Sequence, residues 1–570
     1  MKPYDTSEKW NARLLAFLLK AHGCQHIVVA PGSRNAPLIE ALVNDPDYRL
    51  YSVPDERAAA FTALGLTLQH RRPAAVVCTS GSAAANFLPA ATEAYYQQLP
   101  LVLLTADRPL EWIDQGIGQT IDQHGLYGRH VQAEAALLRD TGDALSRSYN
   151  ERKANEVLLA STQGPVHINI PFAEPLYEHR THDPAERFRV IRRTPLEASL
   201  SAEALRELGR SWAQKKRIWV LAGQMPPNPA LAEALETLQA RSPFLLLTES
   251  LSNLEGPRQI GSIDRLINTL NEEQKEKLRP DLVITLGGEV VSKMVKNFLH
   301  QHQAFEHWHL GATTALKDTF WRLTQQIDLA PEAFFRSLAA QVAPTTDSAW
   351  RDYWLAQDEK RSAWTRAYTE QAPHSDFKVT AQLLRHLPQG SLVHWANSAS
   401  VRYAQLFDRP AGIAHYANRG TSGIDGCTST ALGHALVAGA PVTLVTGDVA
   451  FLYDAAAFWN DALPHQLRVV VLNNQGGNIF RIINGPRSWN HFERLQETHH
   501  AHDLSAVGQM YGVAYQKHSP SEALSRGFEW LYAQQQAAIL EVPTPRAENP
   551  GTLGRFFKYL AENNDKQENG

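Results

Sequence analysis

The chain has 570 residues, 44% hydrophobic and 20% charged, with a net charge of −4. That length predicts three or four domains at about 150 residues each, and the near-neutral balance argues against a nucleic-acid partner, which calls for a basic face. No apolar run approaches the roughly 20 residues that cross a bilayer, so no membrane partner is expected.

Met1–Asp5 shows no basic stretch leading into an apolar core, so no signal peptide is expected. Three scattered cysteines, Cys24, Cys78 and Cys427, fit a reducing cytoplasm better than a disulfide framework. From the N-terminus, the spacing predicts a helix over Glu8–Lys20, with Trp10, Leu14, Leu15, Phe17 and Leu18 largely on one face; Asp5 and Glu8 resemble a capping box at its start. Buried strands are predicted at Ile27–Ala30, Ala75–Cys78, Leu101–Thr105 and Val166–Ile170, with a helix Ala58–Leu68 among them. A second set follows at Ile218–Ala222, Phe244–Leu247 and Leu282–Leu286. A third follows at Leu392–Trp395, Val442–Thr446, Val469–Leu472 and Ile539–Val542. Strand–helix alternation of this kind builds parallel sheets through right-handed crossovers. The expected fold class is therefore α/β, with three doubly wound parallel-sheet domains over 1–184, 185–345 and 346–570. The polar, proline-bearing stretches Glu178–Ala198 and Val342–Ser375 read as connections, and Glu562–Gly570 as a fraying end.

The first and third blocks repeat one pattern. Ala-x-Leu-Leu (Ala12–Leu15, Ala381–Leu384) precedes a strand and a serine turn (Ser33, Ser398). Ala-Leu-Gly follows in a helix (Ala63–Gly65, Ala431–Gly433), and then a strand ends in Thr79-Ser80-Gly81 or Thr446-Gly447-Asp448. The matches keep one offset of about 365 residues, as an internal repeat does. The alternative is the general likeness of α/β domains to one another.

Ligands of open α/β sheets sit beyond the carboxyl ends of the strands. There the third block places Asp448 and Asn473-Asn474, followed by Gln475-Gly476-Gly477. A carboxylate, an amide oxygen and the Gly476 carbonyl are the hard donors that Mg²⁺ takes alongside water and phosphate. Turns favour Asp, Asn and Gly in any case. The first block lacks that set. Its conspicuous acid is Glu56, either a helix-start residue favoured by the macrodipole or a desolvated proton carrier.

Together with Gly164–Pro171, these features resemble the thiamine-diphosphate-dependent enzyme superfamily. More narrowly, the chain is similar to the branch that condenses 2-oxoglutarate with isochorismate in menaquinone biosynthesis. That likeness is densest at Ala30–Arg34, Asp55–Arg57, Thr105–Pro109, Gln119–Gln123, Asn418–Gly426 and Asn473-Asn474, and Gly447-Asp448-Val449 replaces the superfamily's commoner Gly-Asp-Gly. It implies thiamine diphosphate with Mg²⁺ or Mn²⁺, the metal held by Asp448, Asn474 and Gly476. It also implies that Glu56, Ser422, Gly423, Ile424, Ile479 and Phe480 meet the cofactor, Ile424 beneath its bent rings; as an ordinary core residue Ile424 would look the same. Catalytic roles fall on Glu56, Ser33, Arg34, Gln119, Ser398 and Arg419. Substrate contacts fall on Arg34, Arg108, Gln119, Lys293, Ser398, Arg402, Arg419, Ile479 and Ile483. Arginine suits two multiply anionic substrates because its fork grips carboxylates bidentately, although a surface ion pair is the common fate of any one arginine. The resemblance further implies a homodimer or dimer of dimers, with sites between the first domain of one subunit and the last of its partner.

Some residues depart from the pattern. Gly118 stands where the family commonly has Asn, and Arg481 has no counterpart. His499, His500, His502 and Asp503 read as a solvated loop in preference to a metal cluster. The middle block lacks Gly-x-Gly-x-x-Gly, so neither flavin nor nicotinamide is expected there. The competing readings are an acetolactate synthase or simple 2-oxo-acid decarboxylase, a non-catalytic binder, and a nicotinamide dehydrogenase.

Overall fold

The computed structural model describes residues 4–69, 71–311, 316–483, 485, 488–519 and 522–568. Apolar runs become strands wherever both sheet faces are covered by helices, as parallel sheets require. The first sheet holds β1 (His26–Val29), β2 (Arg49–Ser52), β3 (Ala74–Cys78), β4 (Leu101–Asp107), β5 (Ala133–Ala136) and β6 (Val166–Pro171). The central sheet holds β7 (Ile218–Ala222), β8 (Leu245–Leu247), β9 (Gln259–Ile260), β10 (Leu282–Leu286), β11 (Glu306–Leu310) and β12 (Leu323–Ile327). The last holds β13 (Leu392–Trp395), β14 (Ala414–Tyr416), β15 (Val442–Gly447), β16 (Leu467–Asn473), β17 (Ala514–Lys517) and β18 (Ala538–Pro543). All three are six-stranded and parallel. The first runs β2-β1-β3-β4-β6-β5 and the last β14-β13-β15-β16-β18-β17, which is the same order. The central sheet differs, running β9-β8-β7-β10-β11-β12.

The helices that matter for the site are α1 (Trp10–Ala21), α2 (Glu56–Leu68), α3 (Leu88–Gln97), α4 (Lys293–Gln301), α5 (Ala349–Gln371), α6 (Asp376–His386), α7 (Cys427–Ala435), α8 (Asp448–Tyr453) and α9 (Glu548–Glu568). The repeated Ala-Leu-Gly has a packing cause. Helices α2 and α7, one from each repeat, cross in contact. A Cβ on Gly65 would stand 2.2 Å from the Thr430 carbonyl oxygen, and one on Gly433 2.0 Å from that of Thr62. The two contacts are mates under the repeat, so the related domains pack face to face through backbone where only glycine fits.

Three expectations are corrected. Asp5–Ser7 is not a helix cap but a short strand paired antiparallel with His179–Thr181, inside the stretch expected to be a plain connection. Helix α1 starts at Trp10, with Lys9 as its uncapped N-cap. Val342–Ser375 is mostly the 23-residue helix α5; its prolines, Pro344 and Pro373, stand outside the helix, where they break nothing. The expected fraying from Glu562 is absent through Glu568, and residues 569–570 lie outside the described residues. Asn564 is buried, exchanges hydrogen bonds with Gln274 at 2.8 and 3.1 Å, and accepts one from Arg361 at 2.7 Å.

Candidate active site

The oxygen cluster forms where β15 and β16 end. Asp448, 1% exposed, opens α8; its Oδ1 accepts the Val449 N–H at 2.7 Å and its Oδ2 the Gly476 N–H at 2.9 Å. Asn474 donates its amide N–H to Asp376 Oδ2 at 3.0 Å, and its Oδ1 is left buried with no hydrogen bond. Asp376 also accepts from the Thr544 hydroxyl at 2.6 Å, and burial pushes its carboxyl up to about 6. Gly476 takes φ +154°, and a Cβ there would meet the Glu497 carbonyl at 2.9 Å. An uncommitted amide oxygen, a buried carboxylate and the Gly476 carbonyl form a hard-donor set that fits Mg²⁺.

Arg481, unassigned from sequence, anchors this loop. It pairs with the fully buried Glu497 and with Glu493 at 2.8 Å, while the Glu497 carbonyl accepts the Gly477 N–H at 2.6 Å. The histidine stretch is corrected in one respect. His499 and His502 are exposed, but His500 turns inward, with Nε2 3.4 Å from Asp448 Oδ2. Among the described residues no group of three or more His, Cys, Asp or Glu could hold a metal.

In the first repeat Asp55 is the N-cap of α2, accepting the Ala58 N–H at 2.8 Å, and Glu56 is the first helical residue, half-buried. Among the described residues no hydrogen bond or ion pair joins Glu56 to Asp448, Asn474 or Gly476. Arg34 is buried, donating from Nη1 to the Phe172 carbonyl at 2.8 Å and pairing with Glu174 at 3.0 Å. Burial, and next the charge of Arg108, lowers its pKa, so the two guanidinium groups share one region. Both keep a buried Nε without a partner. Ser33, Gln119 and Gly118 are exposed, and a side chain at Gly118 would have open space.

The last repeat supplies a matching pair. Arg419, 5% exposed, donates from Nη1 to Asn397 Oδ1 at 2.9 Å and from Nη2 to Glu289 Oε2 at 3.4 Å; its Nε is again buried and unpaired. Arg402 bonds the Ser398 carbonyl, and burial followed by the nearby Arg419 lowers its pKa. A cavity of about 160 Å³ joins Arg402 to Ile479, Ile482, Met294 and Phe557. Ile483 is not on its wall, and Lys293 is exposed at the first turn of α4. The N-terminal N–H groups beside Lys293, those of Val291 and Ser292, are taken by buried Glu249 at 2.7 and 2.6 Å. Ser422 and Phe480 are half-buried, as are Gly423 and Ile424.

Backbone strain collects among these residues. Gln119, Ser398, Ser422 and Gln475 take φ of +62°, +75°, +64° and +64°; non-glycine residues in that region cost of order 1–3 kcal/mol and cluster at functional sites. The sequence reading missed Asp376, Asn397 and Glu289; Ile482 lies in the apolar stretch Asn478–Ile483 that the sequence places near the substrate, though nothing there singles it out. Asn397 and Glu289 do follow strand ends, beside Ser398 and after Gly287-Gly288, but an Asn or Glu in such a turn carries no spacing of its own, and Asp376 opens a helix as many acids do.

A family model described as the N-terminal TPP binding domain of thiamine pyrophosphate enzymes matches residues 10–126, and one described as the middle domain of thiamine pyrophosphate matches residues 194–394. Curated relatives named 2-succinyl-5-enolpyruvyl-6-hydroxy-3-cyclohexene-1-carboxylate synthase are similar along nearly all their length. That of Flavobacterium johnsoniae is 38% identical over 557 residues, covering 96% of this chain and 98% of the relative. That of Flavobacterium psychrophilum is 37% identical over 554 residues, with the same coverage. That of Porphyromonas gingivalis is 36% identical over 573 residues, covering 98% of each.

Proposed function

This chain belongs to the 2-succinyl-5-enolpyruvyl-6-hydroxy-3-cyclohexene-1-carboxylate synthase family of thiamine-diphosphate enzymes, and we infer that it decarboxylates 2-oxoglutarate and adds the succinyl unit to isochorismate in a 1,4 manner. Thiamine diphosphate, bound with Mg²⁺ or Mn²⁺, supplies the electron sink that lets a 2-oxo acid lose CO₂. One observation carries the assignment of residues. Two copies of one fold keep different chemistry at their strand ends: a carboxylate at Glu56 in one, an oxygen set at Asp448, Asn474 and Gly476 in the other.

In this reading Asp448, Asn474 Oδ1 and the Gly476 carbonyl hold the metal, and the Gln475–Gly477 backbone lies against the diphosphate. Glu56 holds a proton against the ring nitrogen of the aminopyrimidine. Ser422, Gly423, Ile424, Ile479 and Phe480 enclose the cofactor and exclude water. Arg34 with Arg108, and Arg402 with Arg419, take the carboxylates of the two substrates through the guanidinium edges that stay unpaired. Ser33, Gln119, Ser398 and Lys293 add hydrogen bonds, and Ile479 and Ile483 give the apolar cover.

Among the described residues no hydrogen bond or ion pair joins Glu56 to the oxygen cluster within one chain, in keeping with a site shared between two subunits in the homodimer or dimer of dimers that the family resemblance implies. We divide the chain into a pyrimidine-binding domain 1–184, a central domain 185–345 and a diphosphate-binding domain 346–570. No helix among the described residues is long and apolar enough to cross a membrane, and three buried free cysteines support a cytoplasmic location. The test is isochorismate consumption by the purified protein with 2-oxoglutarate, Mg²⁺ and thiamine diphosphate, omitting each in turn. Consumption that needs all three is expected. Persistence of isochorismate while CO₂ leaves some other 2-oxo acid would overturn the substrate assignment.

A further inference from the structure

The segment Asn418–Gly423 carries Arg419, Ser422 and Gly423, yet a carboxylate of the first domain fixes its course. Glu93 lies on α3 and is 1% exposed. Its Oε1 accepts the Gly420 N–H at 2.7 Å, and its Oε2 accepts the Thr421 N–H at 2.7 Å and the Thr421 hydroxyl at 2.6 Å. Gly420 sits so close to α3 that a Cβ there would be 2.6 Å from the Glu93 carbonyl oxygen. On the far side Asn397 donates to the Asn418 and Gly423 carbonyls at 2.6 Å each while receiving Arg419 Nη1.

We propose that Glu93 is a positioning residue for substrate recognition, acting through the Gly420–Thr421 backbone to hold Arg419 with its free edge toward the anionic substrate. Hydrogen bonds that backbone N–H groups donate to a carboxylate are the stronger kind. Two of them on consecutive residues, with a third bond from the Thr421 hydroxyl, leave the segment one course. An arginine whose backbone and both Nη groups are already fixed loses little further freedom when a carboxylate meets its Nε edge, and such preorganisation strengthens binding. The buried, unpartnered Arg419 Nε is the atom this arrangement presents.

The proposal rests on the reading of Arg419 as a substrate residue, so Arg419→Ala is measured beside Glu93→Gln and Thr421→Val. The last removes one bond from the loop side and leaves Glu93 in place. KM and kcat are taken for 2-oxoglutarate and for isochorismate, with thermal midpoints alongside. For the substrate whose KM rises in Arg419→Ala, Glu93→Gln is expected to raise KM roughly tenfold, the scale of a lost charged hydrogen bond, and Thr421→Val less, with kcat moving far less than KM. In the Arg419→Ala background Glu93→Gln should raise that KM no further. Unchanged KM values in both loop variants while Arg419→Ala raises KM would overturn the proposal and leave the reading of Arg419 standing. A lowered thermal midpoint with additive effects on KM would make Glu93 structural only. No rise of either KM in Arg419→Ala would remove the reading and the proposal together.

Discussion

Asp376 decides which way the Asn474 amide faces. By accepting the Asn474 N–H at 3.0 Å it leaves Oδ1 without a hydrogen bond, available to the proposed cation. Residues that orient a ligand typically cost 10–100-fold in metal affinity when removed, so Asp376→Ala should weaken Mg²⁺-dependent thiamine diphosphate binding by about that factor. Tryptophan fluorescence titration checks it, and unchanged affinity would remove the orienting role. Glu56→Gln tests the other repeat. An isostere that cannot carry the proton should lower turnover by at least about 10²-fold while the thermal midpoint stays near wild type; activity within a few-fold of wild type would sink the assignment. Asp448 and Asn474 stand at strand ends with a spacing that the sequence makes visible, whereas Glu56 by itself reads as an ordinary helix-start acid and is singled out only by the family resemblance. Asp376 was not legible, since its only local sign is an ordinary helix start after Ser375.

Among the elements, the α2–α7 crossing fixes the two repeats against each other. Gly433→Ala forces a methyl group to within 2.0 Å of a backbone oxygen unless the helices part, and overpacking costs typically 1–3 kcal/mol or more. Gly554, on the exposed side of α9, would meet nothing within 4 Å. There Ala is expected to gain up to about 1 kcal/mol of helix propensity. Urea unfolding of the two variants should move in opposite directions, and equal shifts would rule out the crossing as the cause. Strand legibility also divides by position. The interior strands of both repeats were read from their apolar runs. The unread strands of those sheets, β2, β5, β14 and β17, are all edge strands. An edge strand is covered less, so it lacks the continuous apolar run that marks a buried one. In the central sheet β9 and β12 were missed in the same way, and interior β11 because Glu306, His307 and His309 make it read as polar.

Across the whole molecule, buried titratable groups set opposing pH dependences. Burial lowers His307 and His309 to about 4 and His415 to about 3. Their unfolded forms protonate near the ordinary value of about 6.5, so each withdraws stability as the pH falls below that value toward its folded pKa. Burial raises Glu249 and Asp454 to about 7. These two favour the folded state at low pH and withdraw stability as the pH rises through about 7. Removing one histidine should therefore tilt the balance. His415, 1% exposed and accepting from Trp395 Nε1 at 2.9 Å, is the cleanest site. From pH 7 to pH 5, His415→Gln should lose up to about 2 kcal/mol less stability than the wild type. Urea midpoints at the two pH values check this, and parallel profiles would count against a neutral buried imidazole.

By itself the sequence determined the fold class and the duplication, and it marked the strand-end residues on which the proposed chemistry rests. A strand, its turn and the next helix are contiguous, and their periodicity and turn residues are local. Only the tertiary structure decided which groups orient that chemistry. Asn474 meets Asp376 across 98 residues and Gly420 meets Glu93 across 327. Such pairs exist because layers stack and helices cross at glycines, and no spacing along the chain encodes which side chains a crossing brings within 3 Å of each other.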